Sequence, residues 1–204
     1  MTRRKRLGAR KIYDLPEEAL IITLPSRIIR RKGILEAVKA TEIIRKKHSK
    51  VLLFLPAFFN PFDRNYATEI KDYISKKNLS EQIIFPKKQI DHKNMNNVYA
   101  ASNLVLAPSY YEGLGLTVLE AMGMGIPVVA CRVHGIRESI RSGYNGILVK
   151  QKDEVQLARA IEKIFLDKDL RDKIIKNGRK TVMSKFNIKQ NISRTENVYH
   201  RLLG

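Results

Sequence analysis

Residues 107–130 read A-P-S-Y-Y-E-G-L-G-L-T-V-L-E-A-M-G-M-G-I-P-V-V-A, and this stretch predicts the turn and helix at the centre of a βαβ unit. The apolar run Asn103–Ala107 predicts a strand that ends at Pro108, because proline followed by serine favours a turn. Leu116–Met124 has the composition of a helix, and Ile126–Cys131 predicts a second strand. Parallel α/β sheets bind ligands in the loop at the carboxyl end of a strand, so the loop before this helix is a candidate site.

Glycines and carboxylates give this loop a chemistry that suits a nucleotide. Gly113 and Gly115 let the backbone approach a ligand closely, and the free N–H groups at the helix start could take a phosphate. Glu120 lies one turn into the helix, where its carboxylate could accept hydrogen bonds from a diol such as a ribose. Glu112 stands in the turn, where the helix N-terminus favours an anion. The alternative interpretation is an exposed helix with an ordinary surface Glu120, because short glycine motifs often match by chance.

Apolar runs alternate with helical patterns along the chain, which predicts an α/β fold with a parallel sheet. The predicted strands are 19–24, 51–55, 83–85, 103–107, 126–131 and 146–149, and the helices between them are 34–47, 63–77, 95–101 and 116–124. Three further helices are predicted at 155–165, 169–177 and 188–203, and Gly178 is expected to end the second. The last one carries an apolar stripe, which is expected to pack on the sheet domain or on a partner surface.

The chain is strongly basic, with 39 Lys and Arg against 20 Asp and Glu, a net charge of +19 and a pI of about 10.1. Because the basic residues are spread out and mixed with acids, solvated helix faces are the leading explanation, and attraction to an anionic membrane is the second. No nucleic-acid partner is predicted, since the sequence has neither an RNA-stacking aromatic motif nor a helix-turn-helix pattern. Arg27 and Lys32 flank the first strand-to-helix loop, where they either neutralise a pyrophosphate or belong to the general basic excess.

The length and composition predict one globular domain, with residues 1–18 as a basic lead-in and 19–204 as the folded part. The lone cysteine, Cys131, lies in an apolar strand, so core packing is its expected role. The four histidines are scattered, and no metal site is predicted. The chain shows no signal peptide and no apolar run of membrane-spanning length, which makes the cytoplasm the default location, with peripheral membrane attachment as an extension.

Four segments in this order resemble a known family: S-R-I-I-R-R-K-G at 26–33, P-S-Y-Y-E-G-L-G-L-T-V-L-E-A-M-G-M-G-I-P-V-V-A at 108–130, G-I-R-E at 135–138 and S-G-Y-N-G-I-L-V at 142–149. They are similar to motifs in the C-terminal, donor-binding domain of retaining GT-B glycosyltransferases, including the two glutamates with seven residues between them. The likeness runs from about Leu20 to Tyr199. It implies a Rossmann-like parallel sheet flanked by helices, which is one half of a GT-B fold.

The resemblance also implies roles for individual residues. Arg27 and Lys32 match the cations that hold the donor's diphosphate, Glu112 matches the glutamate near the donor sugar, and Glu120 matches the glutamate that binds the ribose. The catalytic set would be Arg27, Lys32 and Glu112, and the wider substrate-binding set would add Gly113, Gly115, Leu116, Thr117 and Glu120. In such enzymes the leaving nucleoside diphosphate is stabilised by cations and backbone dipoles, with no required metal and no cofactor besides the nucleotide-sugar substrate.

The sequence departs from the family pattern in places that bear on base recognition. Ser26 stands where a glycine is usual, and His134 replaces the first glycine of the G-G-x-x-E pattern. An exposed loop histidine is expected there, and contact with the donor is the alternative. The glycine-rich end of the second strand is Pro56-Ala57, and a usual glycine is missing around Pro86-Lys87. Those two segments lie toward the nucleobase in relatives, so the identity of the base stays open.

A full GT-B enzyme has an N-terminal acceptor domain of similar size, and this chain begins where the second domain would begin. The resemblance therefore implies a hexosyltransferase half that needs an acceptor domain in cis or in trans, and an anionic membrane or lipid-linked acceptor is a further expected partner. The alternative is a non-catalytic nucleotide-sugar-binding subunit or interaction module of a split glycosyltransferase. The donor sugar and the acceptor are left open.

Overall fold

The computed structural model describes residues 2–57 and 64–203. Its strands are β1 (Leu20–Thr23), β2 (Val51–Phe54), β3 (Ile83–Ile84), β4 (Leu104–Ala107), β5 (Val128–Cys131) and β6 (Ile147–Val149). They form one sheet in the order β3-β2-β1-β4-β5-β6, and every pairing is parallel. Because these strands are apolar on both faces, the sheet has to be covered by helices on both sides.

Helices connect the strands and cover the sheet. They are α1 (Arg3–Ile12), α2 (Ile34–Arg45), α3 (Arg64–Lys76), α4 (Met95–Ala101), α5 (Leu116–Met124), α6 (His134–Ser139), α7 (Glu154–Leu166), α8 (Lys168–Lys185) and α9 (Ile188–Leu203), with short 3-10 helices at Arg30–Lys32 and His92–Asn94. The Rossmann-like α/β prediction is therefore confirmed. The predicted start of α3 at Asp63 lies outside the described residues.

Alternate residues of each strand supply the two faces of the core. Ile22 of β1 packs with Ile34 and Ile70, from α2 and α3, on one face. Its neighbour Ile21 packs on the other face with Ala9 and Val98, from α1 and α4. Neighbouring strand residues point to opposite faces, so this division follows directly from the pleat. The result is a layered domain in which helices cover both faces of the sheet. The loops at the strand ends are left to form a ligand-binding site.

The basic segment that the sequence marks as a lead-in forms α1, which packs on the sheet. Arg10 in this helix is only 2% exposed. Its guanidinium donates to the carbonyl of Ala101 over 3.1 Å, to the carbonyl of Pro16 over 3.2 Å and to Asn103 Oδ1 over 2.6 Å. These acceptors lie before β1 and β4, at the edge of the sheet opposite the carboxyl ends of the strands. Arg10 can be buried because its long side chain donates hydrogen bonds to several backbone carbonyls.

The C-terminal helices differ from the prediction at one point. Gly178 was expected to end a helix, but that prediction is wrong, because α8 continues through it to Lys185. A Cβ at Gly178 would lie 3.4 Å from the Met122 side chain and 3.5 Å from the Asn145 carbonyl oxygen. These are ordinary van der Waals distances, so Gly178 is a packed residue inside the helix rather than the residue that ends it.

Helix α9 has no buried residue, and its apolar stripe is exposed at Ile188, Ile192, Val198, Tyr199 and Leu202. The sequence left two outcomes open for this stripe, and in the structure it does not pack on the sheet domain. Among the helices of residues 2–57 and 64–203, none combines the length and apolar character needed to cross a bilayer.

Candidate functional site

The strand order creates a crevice between β1 and β4. From β1 the chain proceeds to β2 on one side, whereas from β4 it proceeds to β5 on the other, so the direction of winding reverses between these two neighbours. Open α/β sheets bind ligands at such a switch point, outside the carboxyl ends of the strands. The loops that leave β1 and β4 there are 24–33 and 108–115, and they contain the predicted cations and the first predicted glutamate.

The two loops are in direct backbone contact. Gly33 ends the first loop with φ of +68°, and a Cβ placed on it would lie 2.2 Å from the carbonyl oxygen of Pro108. The Tyr110 N–H donates to the Arg31 carbonyl over 2.8 Å. Only glycine satisfies both the left-handed conformation and this approach. The position of the second loop is therefore fixed by the first.

Lys32 and Glu112 form an ion pair across this junction, in which Lys32 Nζ donates to Glu112 Oε1. Ser109 Oγ donates to the same oxygen over 2.8 Å. The two charged side chains are only 14% and 13% exposed, so their attraction is screened less by water than that of a surface salt bridge. The structure thus brings together two of the three residues that the resemblance assigns to catalysis.

Arg27, the third of these residues, lies in the same loop as Lys32 but is not part of the pair. Its side chain is exposed and has no hydrogen-bond or ion-pair partner among residues 2–57 and 64–203. Ser26 beside it donates to the Arg27 carbonyl over 3.3 Å. A free guanidinium at the rim of the crevice is available to an anion that enters from solvent.

Helix α5 points its N-terminus into the crevice. Gly115 caps the helix with φ of +71°, and its carbonyl accepts from the N–H groups of Val118 and Leu119. The N–H groups of Leu116 and Thr117 come before the first helical hydrogen bonds and have no acceptor within the helix. They carry the positive end of the helix dipole, which suits a phosphate or a carboxylate.

A third loop, after β5, supports this arrangement. A Cβ on Gly135, near the start of α6, would lie only 1.8 Å from the Gly113 carbonyl oxygen and 2.5 Å from that of Glu112. The backbone of α6 therefore presses directly on the loop that holds Glu112. His134 precedes it as the first residue of α6, and its 91% exposed side chain lies 3.5 Å from Glu138. It is exposed, as predicted, but it begins a helix rather than lying in a loop.

Glu120, on the fifth position of α5, accepts a hydrogen bond at Oε2 from the hydroxyl of Tyr99. Tyr99 belongs to α4 and is 2% exposed. Burial, and then the bond to Glu120, raises the pKa of the Tyr99 hydroxyl, which keeps it a neutral donor at physiological pH. Glu120 itself is half-buried, so it is neither an ordinary surface residue nor a core residue.

Sequence reasoning gave no role in the site to Ser109, Tyr99 or Gly135, although Gly135 begins the G-I-R-E segment that resembles the family. Ser109 had a local signal, because it lies three residues before Glu112 in the same turn. Tyr99 and Gly135 lie on other elements, and their contacts depend on how α4 and α6 pack against the loops around β4. No local pattern in a single sequence reports such packing.

Two further observations concern metal binding and the cysteine thiol. In residues 2–57 and 64–203, no group of three or more His, Cys, Asp or Glu side chains is arranged to hold a metal ion. Cys131 is buried, and burial raises the pKa of its thiol to about 12, so it is a protonated core residue. This agrees with the core role predicted for it.

Comparisons with known proteins give the family of the chain. Residues 6–181 match the family model for glycosyl transferases group 1. The capsular polysaccharide biosynthesis glycosyltransferase CapM of Staphylococcus aureus is 28% identical over 199 residues, which cover 95% of this chain and 49% of CapM. The chain spans about half the length of the curated relatives it matches.

Solved structures show the same fold. The C-terminal domain of a group 1 family glycosyl transferase, LpcC of Francisella tularensis, superposes with a TM-score of 0.81 at 29% identity, covering 90% of this chain and 93% of that one. Anabaena HepE in complex with UDP and glucose superposes with a TM-score of 0.86 at 22% identity, covering 97% of this chain and 53% of HepE. The chain therefore belongs to the glycosyl transferases group 1 family, and its fold is that of the C-terminal half of a GT-B glycosyltransferase.

Proposed function

We propose that this chain binds the nucleotide-sugar donor of a retaining glycosyltransferase that transfers a hexose to an acceptor. The observation that carries the proposal is the convergence, at the switch point of the sheet, of a shielded Lys32–Glu112 pair and the N-terminus of α5. A cation, a carboxylate and free N–H groups at one crevice match the parts of a sugar diphosphate. A hydrophobic ligand would not need this set.

The diphosphate would lie between the two cations and the helix N-terminus. Lys32 has three N–H donors, and its bond to Glu112 occupies one, which leaves two for phosphate oxygens. Arg27 is exposed at the rim and can fold over the same group. The N–H groups of Leu116 and Thr117 complete the cradle. As the bond from the sugar to the diphosphate breaks, negative charge grows on the leaving oxygen, and these groups are already oriented to stabilise it.

Glu112 would then face the donor sugar. Lys32 and Ser109 both hold its Oε1, and among the described residues its Oε2 has no partner, which leaves that oxygen for sugar hydroxyls. Glu120 would accept from the ribose hydroxyls, and Gly113 and Gly115 let the backbone approach the ligand. No step in this proposal passes through a metal ion.

A nucleotide sugar is the donor class that the comparisons support. HepE, which shares this fold, was solved with UDP and glucose. We assign neither the nucleobase nor the particular hexose of the donor. The segments around Pro56 and Pro86, which lie toward the nucleobase in relatives, depart from the family pattern.

The diphosphate role of Lys32 can be tested apart from base recognition. Lys32→Ala is expected to weaken binding of a nucleoside diphosphate by about tenfold or more, since a charge-assisted contact is lost. The same variant should bind the corresponding nucleoside as the wild type does. Lys39→Ala is the matched control, because it removes a lysine that pairs with Glu154 over 3.8 Å outside the crevice. Equal losses for the nucleoside and its diphosphate would refute the assigned role.

Transfer is proposed to need an acceptor domain, supplied in cis or in trans. The exposed apolar stripe of α9 favours a chain that docks on another domain. The alternative function, a nucleotide-sugar-binding subunit without transfer of its own, predicts donor binding that never leads to product. Adding a GT-B N-terminal half to the chain and measuring hexose transfer separates the two, because product appears only if the site here is catalytic.

An anionic membrane or a lipid-linked acceptor is proposed as a further partner. Helix α1 exposes Arg3, Arg4, Lys5 and Lys11 along its surface. Sedimentation with vesicles of phosphatidylglycerol should show binding that falls with added salt, since exposed charges are screened. Equal binding to neutral phosphatidylcholine vesicles would contradict the electrostatic account.

A further inference from the structure

Tyr99 contacts Glu120, the residue proposed to bind the ribose, from a different helix of the fold. It is on α4, the helix that crosses from β3 to β4, and α4 packs beside α5. Its ring is buried in the main core cluster, and its hydroxyl donates to Glu120 Oε2. A buried tyrosine normally finds one such partner for its hydroxyl, but here the partner is a carboxylate with a separate proposed task.

The hydrogen bond from Tyr99 makes the two carboxylate oxygens of Glu120 differ in their availability to a ligand. Oε2 is taken by the tyrosyl hydroxyl, whereas Oε1 has no partner among the described residues and is not buried. The Tyr99 hydroxyl donates to Oε2, so the carboxylate has Oε1 left to accept hydrogen bonds from other donors. An oxygen left in this way can accept from a diol, whose two hydroxyls both donate.

A free glutamate side chain on a helix has three rotatable bonds, and binding a ligand would have to freeze them. Tyr99 freezes them beforehand, through a partner that is itself immobile because its ring is 2% exposed. Pre-organisation of this kind raises affinity without any new contact to the ligand.

We propose that Tyr99 is a positioning residue that holds Glu120 so that its free oxygen faces the ribose hydroxyls of the donor. The inference rests on the proposed function, since it gives Glu120 a ribose to bind. It adds a residue that touches no part of the donor and acts only through Glu120. It also makes discrimination between ribose and deoxyribose depend on α4.

The test compares ribonucleotides with 2′-deoxyribonucleotides. Tyr99→Phe keeps the buried ring and removes only the hydroxyl. With UDP, GDP or ADP, whichever binds, it is expected to weaken affinity about tenfold, and to weaken affinity for the 2′-deoxy counterpart, which keeps only one of the two hydroxyls, by a clearly smaller factor. A variant that merely loosened the fold would weaken both ligands equally, and that result would overturn the inference.

Tyr73→Phe is the matched control. Tyr73 also donates to a glutamate, Glu42 Oε2, over 2.5 Å, but the pair joins α3 to α2 away from the crevice. This variant loses the same kind of bond and should leave affinity for both nucleotides unchanged.

A double-mutant cycle with Glu120→Ala separates this inference from the proposed function. In the Glu120→Ala background, Tyr99→Phe should have no further effect on affinity, because the residue through which it acts is gone. Additive losses would overturn the positioning role while leaving the ribose role of Glu120 intact. If Glu120→Ala does not change the preference for ribose, or if no nucleotide binds, the proposed ribose role fails and this inference fails with it.

Discussion

Gly135→Ala should damage the donor site although it adds one methyl group at a helical position. The backbone of α6 approaches the β4 loop so closely that a Cβ on Gly135 would lie 1.8 Å from the Gly113 carbonyl oxygen and 2.5 Å from that of Glu112. Both contacts are to backbone, which cannot rotate away as a side chain would. The residue is not in the left-handed region, so the change tests the close approach alone.

The size of the effect follows from these distances. Ordinary contacts of a Cβ begin near 3.4 Å, so α6 and the Glu112 loop must separate by more than 1 Å. A misplacement of about 1 Å in a binding constellation costs on the order of 100-fold. Overpacking of this kind also costs about 1–3 kcal/mol of stability. Helix propensity acts in the opposite direction, because alanine is favoured over glycine by up to about 1 kcal/mol.

The assay is calorimetric titration of the variant with the nucleotide that the wild type binds, together with its melting temperature. Gly8→Ala is the matched control, since Gly8 lies inside α1 and a Cβ there would meet nothing within 4 Å. It should keep the wild-type affinity and raise the melting temperature by about 2–4 °C, as helix propensity predicts. A Gly135→Ala protein with wild-type affinity and an unchanged or raised melting temperature would refute the steric account.

The remaining predictions concern the frame of the site. Arg10→Met should lower the free energy of unfolding in urea by about 3 kcal/mol, because four acceptors near the strand starts, on Ala101, Pro16, Glu17 and Asn103, lose their donor; a loss below about 1 kcal/mol would contradict this. Burial raises the pKa of Tyr66 to about 12 from an unfolded value near 10, so its contribution to stability is complete below about pH 10 and is lost as pH rises through 12. Tyr66→Phe should therefore move alkaline unfolding, followed by circular dichroism, to higher pH, and a shift to lower pH would show the sign to be wrong. The buried thiol of Cys131, whose pKa is raised to about 12, should react with a thiol reagent at pH 8 only as fast as the protein opens, whereas rapid reaction of the native protein would contradict its burial.

Much of the fold could be predicted from the sequence, because its signals are local. Helix α5 begins and ends where the sequence predicts, since Gly125 takes the left-handed conformation that ends a helix. The strands fall within two residues of their predicted bounds, because each is a short apolar run. Helix α1 was not predicted, because what holds Arg10 in the core is a set of acceptors far along the chain.

At Gly178 a local sequence signal gave a wrong prediction. A glycine after a helical stretch usually ends the helix, but Gly178 does not adopt the left-handed conformation, and α8 continues through it to Lys185. Motif and spacing single out Lys32, Glu112 and Glu120 as candidate ligands of the donor, and these roles stay predictions. The contact between Tyr99 and Glu120 could not be predicted, because it forms only once α4 and α5 pack together.

The central claim is that the crevice between β1 and β4 binds a nucleotide sugar. Calorimetric titration with UDP-, GDP- and ADP-sugars, at moderate salt and without added metal, tests it most directly. The account predicts saturable binding of one nucleotide, weakened at least tenfold in Glu120→Ala. Absence of saturable binding for all three at millimolar ligand, or binding that Glu120→Ala leaves unchanged, would contradict it.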